Sequence, residues 1–401
     1  MKKIELLAPS GNLEKLKIAV MYGADACYIG GKKFSLRARA SNFDLEDIKE
    51  ACEFARGYNC KIHVTMNIIP HNDDLDGLEE YLIALESYGV HAIIVASLYI
   101  ASVAKRVAPK LEVHYSTQLS TLNHGAVQFL EKMGADRVVV GREASLESLK
   151  DIVDNSNVEI EAFIHGGMCV SYSGRCMLSN HMTWRDANRG GCAHSCRWNY
   201  KLFDNGMCLN NENEFFNMGS KDLCAISSIP ALIEAGVSSL KIEGRMKTAY
   251  YIATVVRCYR NAIDEYYEKG YLSPESLDYY MKEMKKAENR LTATGFLNNF
   301  PDVEEQLFDT RCETPTKEFV GFVLDYDKET QICTLEQRNY FKIGDTLEFF
   351  GPNLKNTLYK VEEFTDVDGN NLEVARHPKQ VLKMKVPFEL QYADMVRIKI
   401  N

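Results

Sequence analysis

The chain is 401 residues long, with 46% hydrophobic and 26% charged residues, a balance that excludes a mainly disordered protein and leaves room for more than one core. Its formal net charge of −9 argues against a protein that coats nucleic acid nonspecifically. No apolar run approaches the roughly 20 residues needed to cross a bilayer, and the start, Met1-Lys2-Lys3-Ile4-Glu5-Leu6-Leu7-Ala8-Pro9, has too short and too charged an apolar run for a signal-peptide core, so a cytoplasmic protein is expected.

Up to about residue 268, short β-branched runs alternate with amphipathic stretches, the pattern of repeated βα units. In chain order the expected strand and helix pairs are Ile4–Leu7 with Leu13–Met21, Ala26–Ile29 with Leu45–Ala55, Lys61–Met66 with Leu75–Ser87, and Ala92–Ala96 with Ile100–Val107. Then come Glu112–Ser116 with Gly125–Met133, Arg137–Val140 with Leu146–Val153, Val158–Phe163 with Leu223–Ala235, and Ser239–Ile242 with Thr248–Tyr267. Eight units close into a TIM-like (β/α)8 barrel, whereas a doubly wound sheet stops at about five to seven. Ser10, Asp44 and Ser145 stand where helix caps belong. The seventh unit breaks the rhythm, because nearly 60 residues separate its strand from its helix. Loops of that length in a compact domain are usually functional.

Beyond the eighth unit a helix over Pro274–Leu291 is expected. From Glu318 short alternating segments, Phe319–Asp325, Ile332–Glu336, Thr346–Phe350, Leu372–Val374 and Val396–Ile400, are divided by turns at Gly351-Pro352-Asn353 and Asp368-Gly369-Asn370. They read as a small antiparallel β-barrel or sandwich. The expected division is a barrel over 1–270, a helical connector over 271–317 and a β-domain over 318–401.

In such a barrel the reacting groups sit on the loops after the carboxyl ends of the strands. Those loops hold Arg37, Arg39, Asn67, Gln118, Arg142, Glu143, His165, Lys241, Glu243 and Arg245. Each alone reads equally well as a cap, a surface charge or a packing polar. Their meeting at one face is harder to dismiss. The long seventh loop carries Cys169-x6-Cys176-x15-Cys192-x3-Cys196 among several glycines. Four thiolates suit a cubane iron–sulfur cluster or tetrahedral zinc, and free thiols are the third reading; the single close pair favours the cluster. Cys224, expected to open the seventh helix, could replace Cys196. Cys27, Cys52, Cys60, Cys258 and Cys333 lie singly in apolar stretches and read as structural thiols. His165 and Cys169 also allow a cysteine-protease pair, if they touch. The loop is basic, with Arg175, Arg185, Arg189, Arg197 and Lys201 against the single acid Asp186 between His165 and Lys201. Neither a Walker loop, nor GxGxxG, nor a helical HExxH motif is present.

The segment from Glu161 to Ser179, EAFIHGGMCVSYSGRCMLS, resembles the signature of peptidase family U32. Glu5-Leu-Leu-Ala-Pro-Ser-Gly11, Tyr22-Gly-Ala-Asp-Ala26, Phe34-Ser-Leu-Arg-Ala-Arg39, Ser220-Lys-Asp-Leu223 and Lys241-Ile-Glu-Gly-Arg245 are similar to it as well. The resemblance runs through the barrel into the carboxyl-terminal domain and is nearest to the tRNA hydroxylation protein P branch. It implies an RNA-modifying enzyme that makes 5-hydroxyuridine at the tRNA wobble position, needs prephenate as co-substrate, and holds a 4Fe-4S cluster on Cys169, Cys176, Cys192 and Cys196. Sister branches hydroxylate ribosomal RNA or a quinone precursor without oxygen, and some members are described as collagenases. On this reading His165, Tyr172 and Glu243 are catalytic. Arg37, Arg39, Asn67, Gln118, Arg142, Lys241 and Arg245 bind substrate, the cations pairing with carboxylates. Tyr172 and Trp184 stack a base, while Arg175, Arg185, Arg189 and Arg197 hold phosphates. The rivals are a collagenase-type peptidase and a noncatalytic RNA-binding protein with a structural metal.

Overall fold

The computed structural model describes residues 3–36, 41–287, 290–307 and 317–399. Eight parallel strands follow one another around a barrel: β1 (Glu5–Pro9), β2 (Ala26–Gly30), β3 (Lys61–Met66), β4 (Ala92–Val95), β5 (Glu112–Tyr115), β6 (Arg137–Val139), β7 (Glu159–Gly166) and β8 (Ser239–Ile242). The barrel closes because β8 pairs with β1 on one side and β7 on the other. β2 and β4 are buried at every position, as strands covered on both faces must be. The helices are α1 (Leu13–Met21), α2 (Leu45–Arg56), α3 (Leu78–Tyr88), α4 (Leu98–Val107), α5 (His124–Lys132), α6 (Leu146–Asp154), α7 (Ile229–Glu234) and α8 (Ala249–Lys269). Asp44 closes a capping box on α2 and Ser145 caps α6. The first helix is capped by Asn12, whose side chain accepts from Lys15 N, and not by Ser10, which lies buried at the end of the strand.

Two helices are shorter than the sequence suggests. Asp222–Cys224 is a strand, antiparallel to the end of β7 and parallel to Thr292–Ala293. Only after a turn at Ile226–Ser228 does α7 begin, with Pro230 in its first turn, where a missing N–H costs nothing. Cys224 therefore sits in a strand. The connector helix α9 (Pro274–Met284) stops short of Leu291. The chain then returns to brace the long insertion, through Asp222 N to Leu291 O at 2.9 Å and Leu307 N to Gly219 O at 3.0 Å.

The last part is an eight-stranded antiparallel sheet in the order Thr357–Lys360, Thr346–Phe350, Met395–Lys399, Lys317–Asp327, Ile332–Gln337, Val381–Lys385, Phe364–Thr365 and Asn371–Leu372. The expected strand Leu372–Val374 is split, since Asn371–Leu372 and Val374–Ala375 pair with different partners. The sheet docks on the helix side of the barrel. Tyr250 of α8 stacks on Phe319, and fully buried Arg397 reaches Glu283 at 2.7 Å and Glu348 at 3.0 Å.

The barrel floor is ionic. Arg137 binds Glu5, Glu159 and Glu161 at 2.5–3.0 Å, and Lys241 binds Glu161 at 2.7 Å. Burial opposes the Glu161 carboxylate, but Lys241 and Arg137 outweigh it and hold its pKa at about 2. His63 lies fully buried against His91 and His114, with neither ring nitrogen hydrogen-bonded. Burial first, then His114 and Arg137, push its pKa well down. The unfolded chain takes up a proton on His63 below its ordinary value of 6.5 that the folded chain refuses. Stability should therefore fall on acidification from that point by about 1.4 kcal/mol per pH unit for this group. The loss should steepen below the ordinary Glu161 value of 4.5, where unfolded Glu161 also protonates. In urea titrations across this range, His63→Leu is expected to reduce the slope of the first leg, which His114, also held low by burial, shares, and to leave the second; an unchanged first leg would remove His63 as a source.

Candidate active site

At the carboxyl ends of the strands two cavities adjoin. One, of about 90 Å³, fills the barrel mouth and is walled by Tyr28, Thr65, Asn67, Ser116, Gln118, Phe163, Lys241 and Arg245 among others. The other, of about 350 Å³, lies beneath the insertion, and Cys169, Cys176, Cys192 and Cys196 all face it. Leu36, Arg142, Gly174 and Glu243 belong to both walls.

Polar side chains within the insertion hold the cysteine loop in place. The buried Ser179 hydroxyl accepts from Ala193 N at 3.0 Å and donates to Arg185 O at 3.0 Å. Asn188 Nδ2 donates to Cys176 O at 3.1 Å, and Arg185 to Cys192 O at 3.2 Å. Between Cys169 and Cys176 the chain makes a left-handed step at Ser173. Glu143 secures it, accepting from Ser173 N at 2.6 Å and Ser173 Oγ at 2.9 Å.

Burial pushes the Cys196 thiol pKa up; Arg197 opposes this and the other three thiols add to it, so the four sulfurs sense one another. Arg142, Arg197, Lys247 and Arg290 border the cavity and offset the charge that thiolates would bring. Among the described residues no three histidine, cysteine or carboxylate side chains converge as ligands of a single ion. The thiols instead share the lining of one cavity. Four soft donors on one cavity wall are the donor type that iron–sulfur clusters take. Cys224 faces Tyr259 and Met281 at 3.9 and 4.0 Å and does not line the cavity. Cys27, Cys52, Cys60, Cys258 and Cys333 are all buried, and burial pushes Cys52 and Cys333 up to about 12.

The other expected residues divide. Asn67, Gln118, Arg142, Lys241, Glu243 and Arg245 meet at the barrel mouth. Lys241 is already matched by Glu161, and Arg142 lies 3.4 Å from Glu243 and 3.7 Å over the Phe163 ring. Arg245 donates to Ser35, Thr65 and Asn42 at 2.5–3.0 Å. Arg37 and Arg39 lie outside the described residues. His165 lines neither cavity. An extra residue at Ile164 shifts the register against β8 and turns His165 into the helix layer, against Tyr251 and 3.2 Å from Tyr259 Oη. Tyr172, Arg175 and Trp184 are exposed, Trp184 at 97%. Arg189 pairs with Asp74 at 2.8 Å, and Arg197 turns inward to Met168 O and Asp222, so neither extends freely as a phosphate anchor.

Residues missed from sequence are Tyr28, Thr65 and Ser116, which line the mouth from the strands and their ends, and Arg290, which arrives from the connector and binds Asp222 at 2.9 Å. Period-two alternation marks the strand positions; no local signal marks Arg290.

A model of peptidase family U32 matches residues 11–307, and one of the family's C-terminal domain matches residues 315–397. The chain belongs to peptidase family U32. This U32 chain is 51% identical to tRNA hydroxylation protein P1 of Bacillus subtilis, over 99% of itself and 95% of that protein. It is 38% identical to the 23S rRNA 5-hydroxycytidine C2501 synthase of Escherichia coli, over 67% of itself and 40% of that protein. It is 32% identical to a protein named collagenase from Porphyromonas gingivalis, over 90% and 89%.

The Ser173 step makes a direct test of how the U32 cysteine loop is held. Glu143→Ala removes both acceptors and is expected to cost the turn about 1–3 kcal/mol. Amide exchange at Ser173 should then accelerate roughly tenfold or more, with the barrel strands unaffected; unchanged exchange would show that Glu143 does not secure the loop.

Proposed function

We propose that this protein hydroxylates a pyrimidine in RNA, at the 5-position of the tRNA wobble uridine, with a 4Fe-4S cluster on Cys169, Cys176, Cys192 and Cys196 and prephenate as co-substrate. The observation that carries the reading is the common wall: the four-cysteine cavity and the polar barrel mouth meet at Arg142 and Glu243. Relatives named for tRNA and rRNA hydroxylation support it. A base inside a folded RNA has to leave its stack to enter such a pocket. Trp184 and Tyr172, exposed on the insertion, offer stacking surfaces to an approaching RNA, with Arg175 for a phosphate. Within the mouth, Arg245 and Arg142 are the cations that carboxylates of the co-substrate would meet. Glu243 lines both cavities, and on this reading it takes the proton from the reacting base. The cluster, when bound, supplies one-electron or Lewis-acid chemistry beside that base. The collagenase reading lacks its pair, because His165 faces the helix layer while Cys169 faces the cavity.

Deleting the gene is expected to abolish 5-hydroxyuridine-derived wobble nucleosides in anaerobically grown cells, as is blocking prephenate supply; mass spectrometry of digested tRNA checks both. Unchanged nucleosides would reject the tRNA assignment. Serine substitution of Cys169, Cys176, Cys192 or Cys196 is expected to lower bound iron and the broad visible absorption of anaerobically purified protein several-fold. Cys224→Ser and Cys258→Ser should keep both. Iron loss on Cys224→Ser with retention on Cys196→Ser would overturn the ligand set, and zinc in place of iron would overturn the cluster.

A further inference from the structure

Gln118 is 3% exposed and lines the barrel mouth, and its hydrogen-bonding sense is fixed from the backbone outward. The Leu36 amide donates to Asn67 Oδ1 at 3.3 Å. A backbone N–H can only donate, so the Asn67 side chain has one allowed orientation and presents Nδ2 on its other side. That nitrogen donates to Gln118 Oε1 at 3.2 Å. The Ser116 hydroxyl donates to the same oxygen at 3.2 Å. Gln118 Oε1 is thus taken by two donors. Its Nε2 is buried with no partner among the described residues. Turning the amide over would set its N–H groups against the Asn67 donor, so Nε2 remains the donor left to be satisfied in a side chain that lines the mouth. An unmade buried hydrogen bond is costly, and a ligand acceptor would satisfy it.

We propose that Gln118 is a specificity-determining residue whose Nε2 donates to the 4-carbonyl oxygen of a pyrimidine, admitting uracil and rejecting cytosine. This rests on the reading that a base enters the barrel mouth. Uracil presents an acceptor at that position, and cytosine presents an amino donor. Because Oε1 is held by Asn67 and Ser116, Gln118 cannot rotate to accept from cytosine, and two donors would face each other. A neutral amide suits a neutral carbonyl, whereas a carboxylate is better met by the guanidinium groups of Arg245 and Arg142. The apolar Leu36, Ile94, Val139 and Phe163 side chains on the same walls suit the faces of a flat ring.

The test uses full-length, iron-loaded protein and anticodon stem-loops that differ only at the wobble position. Binding by fluorescence anisotropy and hydroxylation by mass spectrometry are both read. The unaltered protein is expected to favour uridine over cytidine on the order of 100-fold, the discrimination that one well-placed contact to a base edge gives. Gln118→Glu keeps the Oε1 bonds, replaces the donor by an acceptor, and is expected to narrow or invert that ratio; Gln118→Ala is expected to abolish it. A second arm needs no variant. A stem-loop carrying 2-pyrimidinone, which lacks the 4-oxygen, should bind the unaltered protein as poorly as the cytidine one. Binding of that analogue as tight as uridine overturns the proposal, and so does an unchanged uridine-to-cytidine ratio in folded Gln118 variants. If the variants alter only the concentration of dicarboxylate required, Gln118 serves the co-substrate and the proposal fails while the functional reading stands. If an abasic wobble position binds the unaltered protein as well as uridine does, the reading that a base enters the mouth fails, and this inference with it.

Discussion

A Cβ at Gly30 would stand 1.9 Å from the Arg245 guanidinium, and one at Gly166 would stand 2.4 Å from the Glu243 carbonyl oxygen. The glycine at the end of β7 therefore leaves room for the backbone of the loop after β8, and the one at the end of β2 leaves room for the Arg245 guanidinium. Much of the site depends on that fit. Arg245 ties the loops after β2 and β3 through Ser35, Thr65 and Asn42. Two residues earlier, Glu243 closes the gap between the two cavities, and Lys241 anchors the same segment to the ionic floor. Gly166 also adopts a φ of +102°, outside the usual range of residues with a side chain. The chain then leaves β7 at the angle that starts the cysteine loop.

Charge is divided along the barrel axis. Toward the strand starts, Arg137 is matched by carboxylates, and Lys241, which reaches the mouth, shares Glu161 with it, a stable arrangement as long as every partner is present. Toward the strand ends, neutral amides and hydroxyls stand beside Arg245 and the loose Arg142–Glu243 pair at 3.4 Å, a setting able to change partners when a ligand arrives. The carboxyl-terminal sheet docks on the helix side, through Tyr250 and Arg397. It braces α8, whose first residues follow the loop that carries Arg245.

The eight strands were legible because buried parallel strands are continuous apolar runs, as in Ala92–Val95, and because caps such as Asp44 mark where helices begin. The cysteine spacing likewise picked out four thiols that face one cavity. What failed to show was anything decided by distant pairing. Asp222–Cys224 has the composition of a helix start, yet its backbone is claimed by β7 and by Thr292–Ala293. A single extra residue at Ile164 reverses the face of His165, since side chains alternate along a strand. Arg189 and Arg197 look like phosphate anchors until Asp74 and Asp222 are brought to them by the fold. Gln118 was expected at the site, but the sense of its amide depends on Asn67 and Leu36, two and three loops away.

The central claim is that a single RNA base occupies the barrel mouth, one wall away from the cysteine cavity. A stem-loop with 4-thiouridine at the wobble position, irradiated on the anaerobic protein and mapped by peptide mass spectrometry, tests this most directly. The account predicts cross-links to peptides that contain Asn67, Gln118 or the Lys241–Arg245 segment, lost when excess uridine stem-loop competes. Cross-links confined to the carboxyl-terminal sheet over 317–399, with none at the mouth, would contradict it.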